Sequence, residues 1–207
     1  MSPRGKNKNQ FYTSTNLEND LSNQNILNNV ILTNPLLKTV KALATASSDA
    51  QAKSAALSVV GPFGSGKSTS VLVGYHYLRD TLPKPIKKAL STYKIPSLKK
   101  PFLKKEIKVI TGVKKPLAEH LKQKLRIKNN LENAIQKRIQ RGDRLVLIID
   151  EFGKYLEYNA DNPKNGDVYV LQQLAELAQR SNGNFILLMI RHQALSAYFS
   201  SVKTSYL

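Results

Sequence analysis

The sequence predicts an α/β protein, a parallel sheet with helices on both faces. Three observations carry that prediction. Short apolar runs alternate with stretches of helical periodicity from residue 57 to residue 202, the pattern of strand–helix units. One run, Leu145–Ile149, is apolar at every position, as a strand covered on both faces must be. A glycine-rich turn, Gly61–Gly66, stands between an apolar run and a helical stretch.

The elements follow in order. Residues 1–22 are polar and rich in Asn and Ser, which predicts a mobile N-terminus. Residues 23–207 then form one domain. Its lead-in, 24–56, carries Ile26, Leu27, Val30 and Ile31, then Leu36, Leu37, Val40, Leu43 and Ala44 at helical spacing. Pro35 predicts a division into two helices there. Leu57–Val60 predicts a short buried strand, and Lys67–Arg79 an amphipathic helix with Val71, Leu72, Tyr75 and Leu78 on one face. The segment 80–105 contains Pro83, Pro85, Pro96 and Pro101 and reads as an insertion with short helical pieces at most. Ile107–Ile110 predicts a second strand, Leu117–Gln140 one long helix closed by Gly142, and Leu145–Ile149 a third strand. Phe152, Tyr155, Leu156 and Tyr158 read as packing the start of a helix. Residues 157–167 predict a polar loop, Tyr169–Arg180 a helix with Leu171, Leu174, Ala175 and Ala178 inward, Phe185–Ile190 a fourth strand and Ala194–Val202 a further helix.

Composition excludes several classes. With no cysteine among 207 residues, a disulfide framework, a thiolate zinc site and a thiol nucleophile are all ruled out. The longest apolar runs fall far short of the roughly 20 residues that span a bilayer. Arg4, Lys6 and Lys8 have no apolar stretch behind them, so no secretory signal is expected. The sequence reads as a soluble cytoplasmic protein without membrane contact.

The net charge is +18, from 32 Lys and Arg against 14 Asp and Glu. It is concentrated: residues 79–128 hold 16 basic and 3 acidic side chains. This segment reads either as a contact for nucleic acid or an acidic protein, or as a solvated lysine-rich surface. Tyr93 and Phe102 are its only aromatic residues, which counts against base stacking.

Two motifs carry chemistry. Gly61-Pro62-Phe63-Gly64-Ser65-Gly66-Lys67-Ser68-Thr69 fits G-x-x-x-x-G-K-[ST] without a mismatch. Gly64 and Gly66 allow the backbone to curl so that N–H groups converge on phosphate oxygens. The following helix adds its positive end. Lys67 can reach the β- and γ-phosphates, the Ser68 hydroxyl can ligate Mg²⁺, and Thr69 is placed for an α-phosphate. The second motif is Asp150-Glu151, delivered at the end of the apolar strand. Strand ends of a parallel sheet converge on the ligand crevice. Asp150 would hold Mg²⁺ through its water shell opposite Ser68, and Glu151 would polarise an attacking water. The cofactors expected are ATP and Mg²⁺.

With these residues the sequence resembles the P-loop NTPases, in the branch with an additional strand and a catalytic glutamate that includes the AAA+ and STAND ATPases. The strings GPFGSGKST, LIIDEFGKYLEY and MIRHQAL also resemble large bacterial ATPases of phage-defence and restriction-type systems. The resemblance implies that a further strand separates the P-loop strand from the Asp-Glu strand and ends in a polar sensor residue. Phe185–Ile190 fits that role, with Arg191, His192 or Gln193 as sensor. It also implies a fifth strand and a helical lid; with Leu207 following soon after the fourth strand, the expectation is a core truncated before them, part of a longer protein or completed by a partner or second copy. No arginine finger is evident, and Arg141, Arg144, Arg180 and Arg191 qualify by type alone. An ATPase motor or switch, acting on DNA in a defence system, is the function expected. The alternatives are a nucleotide-controlled DNA- or protein-binding module with little turnover, and a P-loop kinase. The kinase is disfavoured because 80–105 has no Arg for a phosphate lid. A GTPase is disfavoured because no N-K-x-D motif follows. His76 and His120 read as structural histidines.

Overall fold

The computed structural model describes residues 17–22, 24–48, 54–163 and 167–193. The expected mobile N-terminus therefore lies mostly outside the described residues, and the helix Ala194–Val202 wholly so. In chain order the elements are α1 (Leu17–Asp20), a 3₁₀ helix (Gln24–Asn29), α2 (Asn34–Ala46), β1 (Ala56–Val60), α3 (Lys67–Leu78) and α4 (Lys84–Thr92). A 3₁₀ turn (Lys104–Glu106), β2 (Ile107–Thr111), α5 (Leu117–Leu125), α6 (Leu131–Gln140), β3 (Leu145–Asp150), α7 (Gly153–Asp161), α8 (Val168–Arg180) and β4 (Phe185–Arg191) follow.

The four strands form one parallel sheet in the order β1-β4-β3-β2. The α/β parallel-sheet class is as the sequence predicts. β4 stands between β1 and β3, pairing Leu57 with Leu188 on one side and Ile148 with Leu188 on the other. Val146–Ile149 and Phe185–Leu188 are fully buried, so both central strands are covered on both faces. α2 lies along α3, while α5 and α6 pack against α8, which also covers β1 and β4.

Several boundaries differ from expectation for identifiable reasons. β1 is not buried: its positions alternate between half-exposed and exposed, because it is the sheet's edge among the described residues. α3 is not amphipathic. Every residue from Ser70 to Leu78 is buried, because α2 covers the side that the sheet does not. Gly74 permits this approach, since a Cβ there would run into the Leu43 side chain. The long helix expected over 117–140 is two. Arg126 turns left-handed at φ 55°, Ile127 N–H donates back to the Lys122 carbonyl at 2.9 Å, and Asn130 caps α6 by accepting from Asn133 N–H at 2.9 Å. α7 continues to Asp161, into the stretch predicted as a loop, because Tyr155, Leu156 and Asn159 are buried beneath it. Pro35 opens α2 rather than dividing two α-helices, behind the N-cap Thr33. In α8 the buried positions include Leu174, Leu177 and Ala178, with Ala175 half-exposed. The segment 80–105 contains one helix and belongs to the core: Ile86, Leu90, Ile95 and Phe102 are buried, and Phe102 N–H donates to the Leu78 carbonyl at 2.7 Å.

No helix among the described residues is long and apolar enough to cross a membrane.

Candidate functional site

The C-terminal ends of β1, β3 and β4 bring most of the predicted residues together. Beyond β1 the chain enters the glycine-rich turn, and α3 begins directly at Lys67. Gly64 and Gly66 adopt φ values of +74° and +78°, the left-handed region that a side chain disfavours. These are the two glycines that the phosphate-cradle argument requires. Gly61 serves differently: a Cβ there would lie 2.8 Å from Ser65 Oγ, and that hydroxyl donates to the Pro62 carbonyl at 2.8 Å.

Lys67 is buried and folds back over the turn. Its Nζ donates to the carbonyls of Gly61 and Pro62, both at 2.6 Å. Burial pushes its pKa below the ordinary lysine value, and the Asp150 charge opposes that shift. Ser68 and Thr69 are half-exposed on the first turn of α3, whereas Ser70 is buried and donates to the Gly66 carbonyl at 2.9 Å. Phe63 projects outward at 80% exposure.

Asp150 closes β3, and its Oδ1 accepts from Glu151 N–H at 2.8 Å. Burial raises its carboxyl pKa above the usual value, with the Glu151 charge acting the same way; the hydrogen bond from Glu151, His192 and Lys67 act against the shift. Glu151 itself is left-handed at φ 49°, uncommon for a non-glycine residue. Its carboxylate is held by Lys154 in an ion pair.

The left-handed turn at Glu151 exposes a residue that sequence reasoning missed. Gly112, directly after β2, donates its N–H to the Asp150 carbonyl at 2.8 Å. A Cβ on Gly112 would stand inside contact distance of the Glu151 carbonyl oxygen and 3.1 Å from that of Asp150. Only glycine leaves room for the acidic pair to turn here. The available signal was a glycine immediately after a predicted strand.

Of the three sensor candidates Gln193 is exposed, and Arg191 and His192 separate. Arg191, the last residue of β4, donates from Nε to Ser58 Oγ on β1 at 3.0 Å. His192 turns to the glycine-rich loop and stacks on Phe63, with ring centroids 3.6 Å apart and planes at 23°. Burial, then the Lys67 charge, holds its pKa below the ordinary imidazole value, against Glu151 and Asp150. Of the two, His192 belongs electrostatically to the cluster. Of the other arginines considered, Arg141 and Arg144 precede β3, at the opposite end of the sheet, and Arg180 pairs with Glu132 at 3.8 Å. The remaining histidines are structural, as expected: His76 Nδ1 lies 2.8 Å from Thr81 Oγ1, and His120 Nδ1 2.6 Å from the Tyr155 hydroxyl.

Among the described residues no group of three or more His, Asp or Glu gathers around a common point. Oxygen donors at the site come from Ser68 and Asp150, a hard set that suits Mg²⁺ when phosphate and water complete its shell. No family model, curated protein or solved structure matches the chain.

Proposed function

We propose that this chain is an ATPase domain that binds ATP with Mg²⁺ at Gly61–Thr69 and uses hydrolysis to drive a motor or a switch. One observation carries the reading. Two left-handed glycines lead straight into a helix whose first residue, Lys67, presents a buried ammonium to the turn, at the strand ends where Asp150 and Glu151 emerge. Such a turn holds phosphate oxygens with backbone N–H groups and the helix end.

The residues divide the work by position. Lys67 exchanges the Gly61 and Pro62 carbonyls for β- and γ-phosphate oxygens, so its present hydrogen bonds stand in for the ligand's. Ser68 and Asp150 would hold Mg²⁺, which when bound neutralises charge between the β- and γ-phosphates. Glu151 accepts a proton from the attacking water as its oxygen bonds to the γ-phosphorus and the bond to the β–γ bridging oxygen breaks, giving ADP and phosphate. Glu151 must first leave Lys154. His192, stacked on Phe63, would register whether the loop is filled.

Calorimetric titration with ATP and Mg²⁺ tests the binding. Lys67→Ala is expected to weaken affinity by roughly 100-fold, the scale of about 3 kcal/mol for a charge-assisted phosphate contact. Unchanged affinity refutes the reading. Glu151→Gln is expected to retain binding and lower turnover by about 10²–10⁴-fold, the usual worth of a general base.

The Glu151–Lys154 ion pair favours a second reading: a nucleotide-controlled binding module with little turnover. Phosphate release that is equally slow in wild type and Glu151→Gln would select it. A kinase is less supported. Of the segment 80–105 that would supply a lid, residues 96–105 run along the N-terminal ends of the strands, away from the glycine-rich loop that they would have to cover.

A further inference from the structure

The basic residues of 79–128 do not stay together in the fold. Lys87 pairs with Asp80 at 2.8 Å, Lys114 with Glu157 at 3.2 Å and Lys124 with Glu18 at 3.7 Å, and Lys115 donates to Gln123 at 3.2 Å. A second group collects at the N-terminal ends of β2, β3 and β4, the pole opposite the glycine-rich loop. Two cavities, of about 310 and 340 Å³, lie there and share Arg144 as a wall. Lys99, Lys100, Lys105, Lys108 and Arg138 complete their cationic lining, and all five are exposed. Arg138 comes from α6, outside the basic stretch of sequence.

We propose that this pole is a docking surface for the phosphate backbone of duplex nucleic acid. Positive charge is in local excess, five exposed cations against two carboxylates. Lys99, Lys100, Lys105, Lys108 and Arg138 are in none of the five ion pairs among the described residues. Two carboxylates line them, Glu106 and Asp143, and Glu106 is already engaged, accepting from Leu103 N–H at 2.6 Å. The surface is also held in shape. The Arg144 guanidinium lies 3.5 Å from the Phe102 ring centre and donates to the Lys100 and Pro101 carbonyls at 3.1 and 3.5 Å. It thereby fixes the loop that presents Lys99 and Lys100, while its own charge stays beneath them.

The character of the lining selects the partner. No aromatic side chain lines either cavity, and Phe102 is buried under Arg144. Single strands are gripped by stacking platforms, and protein interfaces centre on aromatic anchors with lysine depleted. A lysine rim without aromatics suits a regular array of phosphates and reads no sequence.

Fluorescence anisotropy with a labelled 25-base-pair DNA duplex, without nucleotide, tests this independently of the ATPase reading. Five cations on five phosphates predict a slope of log affinity against log salt of about −4.5, or roughly 500-fold between 50 and 200 mM. K99Q/K100Q/K105Q/R138Q is expected to lose at least tenfold in affinity at 100 mM salt and to flatten the slope by about 3.6. K114Q/K115Q, from the same basic stretch but after the C-terminal end of β2, is expected to stay within twofold of wild type. If the quadruple variant fails to fold by circular dichroism, K99Q/K100Q and K105Q/R138Q serve separately, each expected to lose three- to tenfold. No duplex binding at 50 mM salt, a flat salt response, or pole variants that bind as wild type overturns the proposal. So does capture of poly-glutamate with no binding of the duplex, which would assign the surface to an acidic protein.

Discussion

The two poles of the sheet carry charge in opposite ways. At the C-terminal ends of the strands the charges are few, partly buried and mutually engaged: Lys67 on loop carbonyls, Glu151 on Lys154, and Asp150 under its neighbour's N–H. At the N-terminal ends they are many and exposed, and Lys99, Lys100, Lys105, Lys108 and Arg138 enter none of the ion pairs among the described residues. The first arrangement depends on backbone shape, so small steric changes should matter. The second depends on summed charge, so single side chains should be nearly interchangeable. The proposed site for chemistry and the proposed surface for docking are told apart by this difference, although both contain lysine.

The sharpest way to break the comparison is at Gly112. Gly112→Ala adds one methyl group and no charge, yet it pushes on the Glu151 carbonyl. Turnover is expected to fall tenfold or more, with ATP affinity within about threefold of wild type and a stability loss of about 1–3 kcal/mol, as for overpacking elsewhere. Steady-state kinetics beside a titration would check it. Equal losses in kcat and affinity would mean general damage rather than misplacement of Glu151.

A second effect lies in pH. Burial, ahead of nearby positive charge, holds His76 and His120 below the ordinary imidazole pKa. The folded state then binds fewer protons than the unfolded state near and below pH 6.5. Their contribution to stability is present above that value and is lost as pH falls through it. A Tm several degrees lower at pH 5.5 than at pH 7.5 is expected, with part of the slope removed in His120→Gln. A flat profile would contradict the burial of both rings.

The smallest expected effect sharpens the comparison from the other side. Asp150 is held as a carboxylate against its burial, its pKa raised chiefly by desolvation. As an acid with a raised folded pKa, it costs stability increasingly as pH rises from the unfolded value through the folded one. Asp150→Asn should therefore raise Tm at pH 7.5, while weakening Mg²⁺-dependent nucleotide binding. Thermal melts with and without ATP and Mg²⁺ would show both signs. A lower Tm in the variant would mean that the carboxylate is a net structural asset.

Much of the candidate site was legible because its signals are local. Gly64 and Gly66 are needed by a turn of their own few residues, and Asp150 follows directly from its apolar strand. The helix break at Arg126 was less legible: its only markers are the polar run Lys128-Asn129-Asn130 and the cap that Asn130 forms, which the surrounding helical periodicity obscured. Asp167 gave no readable sign. Its carboxylate accepts from the N–H groups of Leu117 and Ala118 at 3.2 and 2.5 Å, capping a helix some fifty residues earlier in the chain.

By itself, then, the sequence determined the four strands, the α/β class, the left-handed glycines and the acidic pair, because periodicity, conformational freedom and chain adjacency act over a handful of residues. Tertiary structure alone decided that β1 lies at the edge, that α3 is buried on all sides and that His192 rather than Arg191 turns to the loop. It also split the basic stretch, leaving Lys87, Lys114 and Lys124 paired and carrying Lys99, Lys100, Lys105 and Lys108 to the far pole beside Arg138. Those outcomes depend on which distant elements pack together, and neighbours in space are set by closure of the whole sheet.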